Sequence, residues 1–144
     1  MTDRPQPQPR EAYRRFRRLT TRWMDNDVYG HLNNVVYYSL FDTAVNGYLI
    51  DAGALDIQRS EVIGLVVETH CNYFASIEFP TAVEAGLRVE RIGQSSVRYS
   101  IGLFAEGQPL SAAGGHFVHV YVDRQTRRPQ PLPQTLRNAL EGLL

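Results

Sequence analysis

The chain reads as an α+β domain, a curved antiparallel sheet of about five long strands wrapped around one central helix at about residues 34–51. Two observations carry that reading: a single long run of helix-spaced apolar residues comes early, and four stretches rich in β-branched and aromatic residues follow it. Length sets the frame. At 144 residues the chain fits one domain, which at this size buries roughly two-thirds of its unfolded surface.

Pro5, Pro7 and Pro9 crowd the first eleven residues, which are expected to form a disordered or polyproline-like tail. Arg14–Met24 is expected to supply the first strand. From Asn34 to Asp51 the residues Tyr37, Leu40, Phe41, Ala44, Val45 and Tyr48 keep the i, i+3, i+4, i+7 spacing of a helix. Val35, Val36 and Leu49 widen that stripe, so the sequence predicts a helix that the domain wraps nearly all round. Its eighteen residues span ~27 Å at ~1.5 Å each. Strands are predicted over Leu65–Phe74, Ala82–Ile92, Ser95–Ala105 and Leu110–Asp123. Val97, Tyr99, Ile101 and Leu103 alternate with Ser96, Arg98, Ser100 and Gly102, the pattern of a strand with one wet face. Gly93-Gln94 and Gly107-Gln108 suit tight connections between antiparallel neighbours. The domain proper spans 12–128. A Pro-rich connection and a short helix with Leu136, Leu140 and Leu143 on one side fill 129–144.

Composition excludes several classes. The chain is 43% hydrophobic and 21% charged, which is neither disordered nor fibrous. Its longest aliphatic run, Val62 to Val67, is far short of the ~18 residues of a membrane span, and no apolar stretch follows the basic N-terminus. With a single cysteine, Cys71, there is no internal disulfide, which fits a cytoplasmic location. Net charge is zero but uneven: residues 1–22 hold seven arginines against Asp3 and Glu11, and lysine is absent throughout. The Arg14-Arg15-Phe16-Arg17-Arg18 cluster reads as a solvated strand that discourages edge pairing, with contact to a ligand phosphate as the alternative and nucleic acid as neither. Cys71 and His70 are strand neighbours and face opposite ways, so a thiol–imidazole pair is not expected; the same holds for His116 and His119 as a shared metal site. No metal or cofactor is expected.

Between the first strand and the helix lies Asp25-Asn26-Asp27-Val28-Tyr29-Gly30-His31-Leu32-Asn33-Asn34, two carboxylates, an imidazole and amides in ten residues. A turn with Gly30 at an unusual backbone angle and Asn33 or Asn34 as helix cap accounts for part of it. The helix start offers more. Its first amides lack intrahelical partners and its dipole favours negative charge, so an oxyanion forming there is stabilised, with Asp27 close by to attack or to activate water.

The pattern Asp25-x-Asp27-x-x-Gly30-His31-x-Asn33-Asn34-x-x-Tyr37, followed by Phe41-Asp42-x-Ala44, resembles the signature of hotdog-fold acyl-CoA thioesterases of the 4-hydroxybenzoyl-CoA thioesterase class. The likeness continues through Asn72-Tyr73, Arg91-Ile92-Gly93-x-Ser95-Ser96, Val120-Tyr121-Val122-Asp123 and Arg128-Pro129-x-Pro131-Leu132-Pro133. It implies a hotdog fold, an acyl-CoA substrate, and a dimer or dimer of dimers with active sites at the subunit interface. It assigns catalysis to Asp27 as nucleophile or general base, the oxyanion hole to the Asn34 amide, and loop order to Asp25. His31 and Asn33 shape the pocket, with Tyr29, Gly30 and Tyr37 beside the substrate and Glu68 approaching the partner's site. One departure is visible: such proteins often carry Phe-Glu-x-Ala-Arg where this chain has Phe41-Asp42-Thr43-Ala44-Val45. Two other readings stay open, a non-catalytic acyl-CoA sensor and a hydratase or dehydratase on the same fold.

Overall fold

A computed structural model describes residues 4–144. Five strands, β1 (Arg15–Leu19), β2 (Val62–Tyr73), β3 (Val83–Ile92), β4 (Ser96–Ala105) and β5 (Ala113–Asp123), form one antiparallel sheet in the order β1-β3-β4-β5-β2. Helix α1 (Asn34–Asp51) lies on its concave face, and α2 (Gln134–Glu141) closes one end.

Helix α1 begins and ends as expected. Asn33 caps it, its Oδ1 accepting from the Val35 N–H at 3.1 Å. Gly53, at φ +72°, reverses the chain, and the Ala54 N–H donates back to the Leu49 carbonyl. Tyr37, Leu40, Phe41, Ala44, Val45 and Leu49 are buried among Leu87, Val97, Tyr99, Ile101 and Phe117 of the sheet. The helix is not wrapped all round, however. Val35, Tyr38, Asp42, Thr43 and Ile50 face solvent, because a single five-stranded layer covers only one side of a helix. Asp42, on α1, and Glu68, on β2, are both exposed.

Two differences concern the N-terminus. The first strand stops at Leu19: Trp23–Asp25 turns into a short 3-10 segment, pinned by Asp25 Oδ2 accepting from the Arg22 N–H at 2.8 Å. Residues 4–11 are not a loose tail (the expectation for residues 1–3 lies outside the described residues). Gln8 exchanges hydrogen bonds with Ser111, and Arg10 meets Glu84 at 2.8 Å while lying over the Phe104 ring. The arginine cluster is solvated and internally paired: Arg17 reaches Asp51, Arg18 reaches Glu106, and Arg14 donates to the Leu144 carbonyl.

On the convex face, Gly86, Gly102 and Gly114 are direct cross-strand partners and form a row across β3, β4 and β5. Tyr13 lies in that row. A Cβ on Gly86 would stand 2.7 Å from the Tyr13 ring, and one on Gly102 would collide with it. The glycines therefore give up side-chain packing so that one aromatic ring can seal the sheet.

Inside, Tyr99 and Tyr121 hydroxyls meet at 2.6 Å, and His119 Nδ1 lies 3.3 Å from the Tyr121 hydroxyl. Burial pushes the His119 pKa down to about 4. A bulge between Val66 and Glu68 shifts the register of β2 against β5. It turns Glu68, His70 and Asn72 to the convex face, with Thr69, Cys71 and Tyr73 on the helix side.

Gly102→Ala should destabilise the fold by about 1–3 kcal/mol, because Tyr13 must leave its row. Urea unfolding measures it, and an unchanged midpoint would remove Tyr13 from that role. His119 supplies a pH test. Its folded pKa lies below the ordinary 6.5, so between about 6.5 and about 4 the unfolded chain binds a proton that the folded chain refuses. Stability should fall by about 3 kcal/mol as pH drops through that window, and His119→Phe should flatten the curve there.

Candidate active site

The loop before α1 is a small hairpin. The Asp27 N–H donates to the His31 carbonyl at 2.9 Å and the Gly30 N–H to the Asp27 carbonyl at 3.1 Å. Gly30 sits at φ +85°, where a side chain is strained, which is the physical reason for glycine in this turn. Two anchors hold the hairpin to the domain: the Leu32 N–H donates to the Ile77 carbonyl at 2.7 Å, and Asn26 Oδ1 accepts from the Phe79 N–H at 3.0 Å. Asp25 is buried, ion-paired with Arg22, and its carbonyl accepts from the Asn33 N–H. It orders the loop.

Asp27 is held by its own turn. Its Oδ1 accepts from the Tyr29 N–H at 2.8 Å, which orients the carboxyl and leaves Oδ2 without a partner among the described residues. His31 Nδ1 stands 4.0 Å from Oδ1, beyond hydrogen-bond distance but close enough to interact when charged. Both line a cavity of about 390 Å³ with Asn34, Tyr37, Tyr73 and residues 74–76. The Asn33 side chain takes the Val35 N–H, and the Val36 N–H donates to the Asn33 carbonyl. Among the described residues the Asn34 N–H finds no acceptor. The residue with that unbonded N–H, at the positive end of the helix dipole, and a carboxylate thus line one cavity.

The expected residues divide. Asp27, His31, Asn34 and Tyr37 line the cavity. Asn33 and Gly30 act through the backbone, as cap and turn. Tyr29 is mostly in solvent, stacked on His31 with ring centroids 6.4 Å apart. Glu68 is not at this cavity. The β2 bulge turns it to the convex face, where it meets His116 Nε2 at 2.6 Å. Sequence reasoning missed the site role of Tyr73. Its hydroxyl donates to the Asn34 carbonyl at 2.9 Å and its ring meets Tyr37 edge-on at 4.9 Å. The signal was parity along β2, which the bulge reverses. Cys71 is half-buried, and burial pushes its thiol up to about 11, so it is a poor nucleophile. Among the described residues, no three His, Cys, Asp or Glu side chains converge to hold a metal ion.

Residues 21–140 match the family model described as the thioesterase-like superfamily. The PA5185 protein of Pseudomonas aeruginosa strain PAO1 is 56% identical, with 96% of each chain covered and a TM-score of 0.94. A 1,4-dihydroxy-2-naphthoyl-CoA thioesterase from Synechocystis shares the fold at 16% identity, TM-score 0.79, with 87% of this chain and 93% of that one covered. A DHNA-CoA thioesterase from Staphylococcus aureus does so at 22% identity, TM-score 0.77, with 88% and 86% covered. A comparison with curated proteins returns no match. The chain belongs to the thioesterase-like superfamily, and it is a thioester hydrolase built on the hotdog fold.

Proposed function

We infer that the chain hydrolyses an acyl-CoA thioester to a carboxylic acid and free coenzyme A, with Asp27 as the reacting carboxylate. The observation that carries this is that one cavity is lined both by Asp27 and by Asn34, whose N–H at the start of α1 has no acceptor among the described residues. A thioester has a good leaving group and weak resonance, so these two groups suffice without a Ser-His-Asp triad. Asp27 either takes a proton from the attacking water or itself attacks the carbonyl carbon and is released from the resulting anhydride by water. Both routes place negative charge on the carbonyl oxygen, and the Asn34 N–H meets it. One such donor is typically worth ~3 kcal/mol. The thiolate leaves and takes up a proton as coenzyme A. The names of the fold neighbours, which are CoA thioesterases, support coenzyme A as the carrier. The lone, half-buried Cys71 fits work in the reducing cytoplasm, and among the described residues no helix is long and apolar enough to cross a membrane.

The working unit we infer is a homodimer paired through β2. The two edges of the sheet differ: β1 is short and carries three arginines, which deter pairing, whereas β2 is long and exposes Leu65, Val66 and Val67 on a free edge. A second copy docking antiparallel there would extend one sheet through both subunits, and the Asp27 cavity adjoins that edge through Tyr73.

Thiol release from a panel of short, medium, long and aromatic acyl-CoAs tests the chemistry. Asp27→Asn should lower turnover at least about a hundredfold with folding intact. No thiol release by the wild type on any substrate, with acyl-CoA still bound, would favour a sensor instead. Sedimentation should give a dimer, or a multiple of it, at micromolar concentration; a stable monomer would remove the interface.

A further inference from the structure

A second cavity, of about 340 Å³, lies at the other end of α1. Leu49, the residue 53–56 turn, Leu136 and the first residues of β2 enclose it, and His119 lies at its wall. Gly64 makes that possible, since a Cβ there would stand 2.7 Å from His119 Nδ1.

The hydrogen bonds fix what His119 offers. Both phenols are held protonated by burial, which pushes the Tyr121 hydroxyl up to about 12 and raises that of Tyr99. Tyr99 has no partner but Tyr121 among the described residues, so its O–H donates to the Tyr121 oxygen. The Tyr121 O–H then donates to His119 Nδ1. The reverse order would strand the Tyr99 proton in the core. Nδ1 is therefore an acceptor, and in a neutral imidazole the proton sits on Nε2. Nε2 has no protein partner among the described residues, and His119 is 3% exposed. Glu61 also lines the cavity, which disfavours a carboxylate there. Asn46, Asp56, Ser60 and Thr135 line it too, so a neutral group that carries a keto or hydroxyl oxygen fits these walls.

Position supplies the role. The two cavities abut opposite ends of β2, one through Gly64 and the other through Tyr73. The bulge near Val67 sets both residues on the helix side of the sheet. An antiparallel pair of β2 strands brings opposite ends together. The His119 cavity of one protomer then adjoins the Asp27 cavity of its partner, on the same side of the joint sheet.

We propose that the His119 cavity is the acyl pocket of the partner's active site, and that its Nε2–H selects acyl groups bearing a keto or hydroxyl oxygen remote from the thioester. This rests on the paired acyl-CoA thioesterase reading above. Two variants test the arrangement in trans. Asp27→Asn and the cavity-filling Ala54→Trp should each be inactive alone. A mixed dimer of the two contains one site with both lesions and one with neither, so about half the wild-type turnover per dimer should return. Mixed dimers that form without recovery, or an Ala54→Trp homodimer that keeps full activity, would overturn the proposal. An active Asp27→Asn homodimer would instead overturn the catalytic reading on which it rests. For selectivity, wild type should favour ω-hydroxyacyl-CoA over unsubstituted acyl-CoA at some point in a length series, by about tenfold or more in kcat/KM. His119→Leu should abolish that ratio and His119→Gln, which retains an N–H, should restore part of it. A wild type with no preference at any length would overturn the selectivity.

Discussion

Burial of one stripe of α1 against the concave face of the sheet is the interaction on which the rest of the structure depends. Phe41, Ala44, Val45 and Leu49 are almost wholly excluded from water, and so are Tyr99, Ile101, Leu103 and Phe117 opposite them. Deleting a buried side chain of the Phe41 kind typically costs ~3–5 kcal/mol, because the space cannot close around it. With that stripe locked, the helix can neither slide nor rotate. Its first turn is held at one place on the sheet, and the unsatisfied amides of that turn are held with it.

The geometry of the candidate site follows from that constraint. A helix start is polar by construction, and the core cannot absorb it. Here it borders a solvent-open cavity beside a hairpin tied down by Leu32, Asn26 and the buried Asp25. The amides are shared out. Asn33 takes care of Val35 and Val36, which leaves Asn34 as the donor still unbonded. Asp27 is divided in a similar way, one oxygen engaged by its own turn and the other unengaged among the described residues. Preorganisation of this kind costs nothing at the moment of reaction, because the hydrogen bonds of folding have already set the directions.

The two faces of the sheet show different solutions to the same packing problem. On the concave face large side chains meet a helix. On the convex face there is no second layer, and a row of three glycines lets Tyr13 lie flat, with Phe16 and Arg10 closing over Phe104 beside it. The N-terminal residues thereby become part of the fold. The bulge in β2 connects both faces, for it decides which side chains of that edge see the helix and which see solvent.

Much of this was legible along the chain. The 3.6-residue spacing of Tyr37, Phe41, Ala44 and Tyr48 located α1 with both ends in place, and the alternation from Val97 to Leu103 located β4 and its helix-facing side, though the expected wet side is partly covered and Gly102 is buried under Tyr13. The loop from Asp25 to Asn34 marked itself by its density of polar groups. These are local signals, set by periodicities and capping preferences that neighbouring residues carry. Other features were not local. Tyr13 finds its glycines only because Gly86, Gly102 and Gly114 fall into register across three strands. Tyr73 reaches α1, and Glu68 leaves it, through a single extra residue in β2 that shifts parity without altering composition. The open side of α1 depended on how far one sheet can curve. The sequence by itself determined most of the elements and the candidate site loop. Only the tertiary structure decided which side chains share a cavity, because register, bulges and coverage arise from pairing between segments that are distant in the chain.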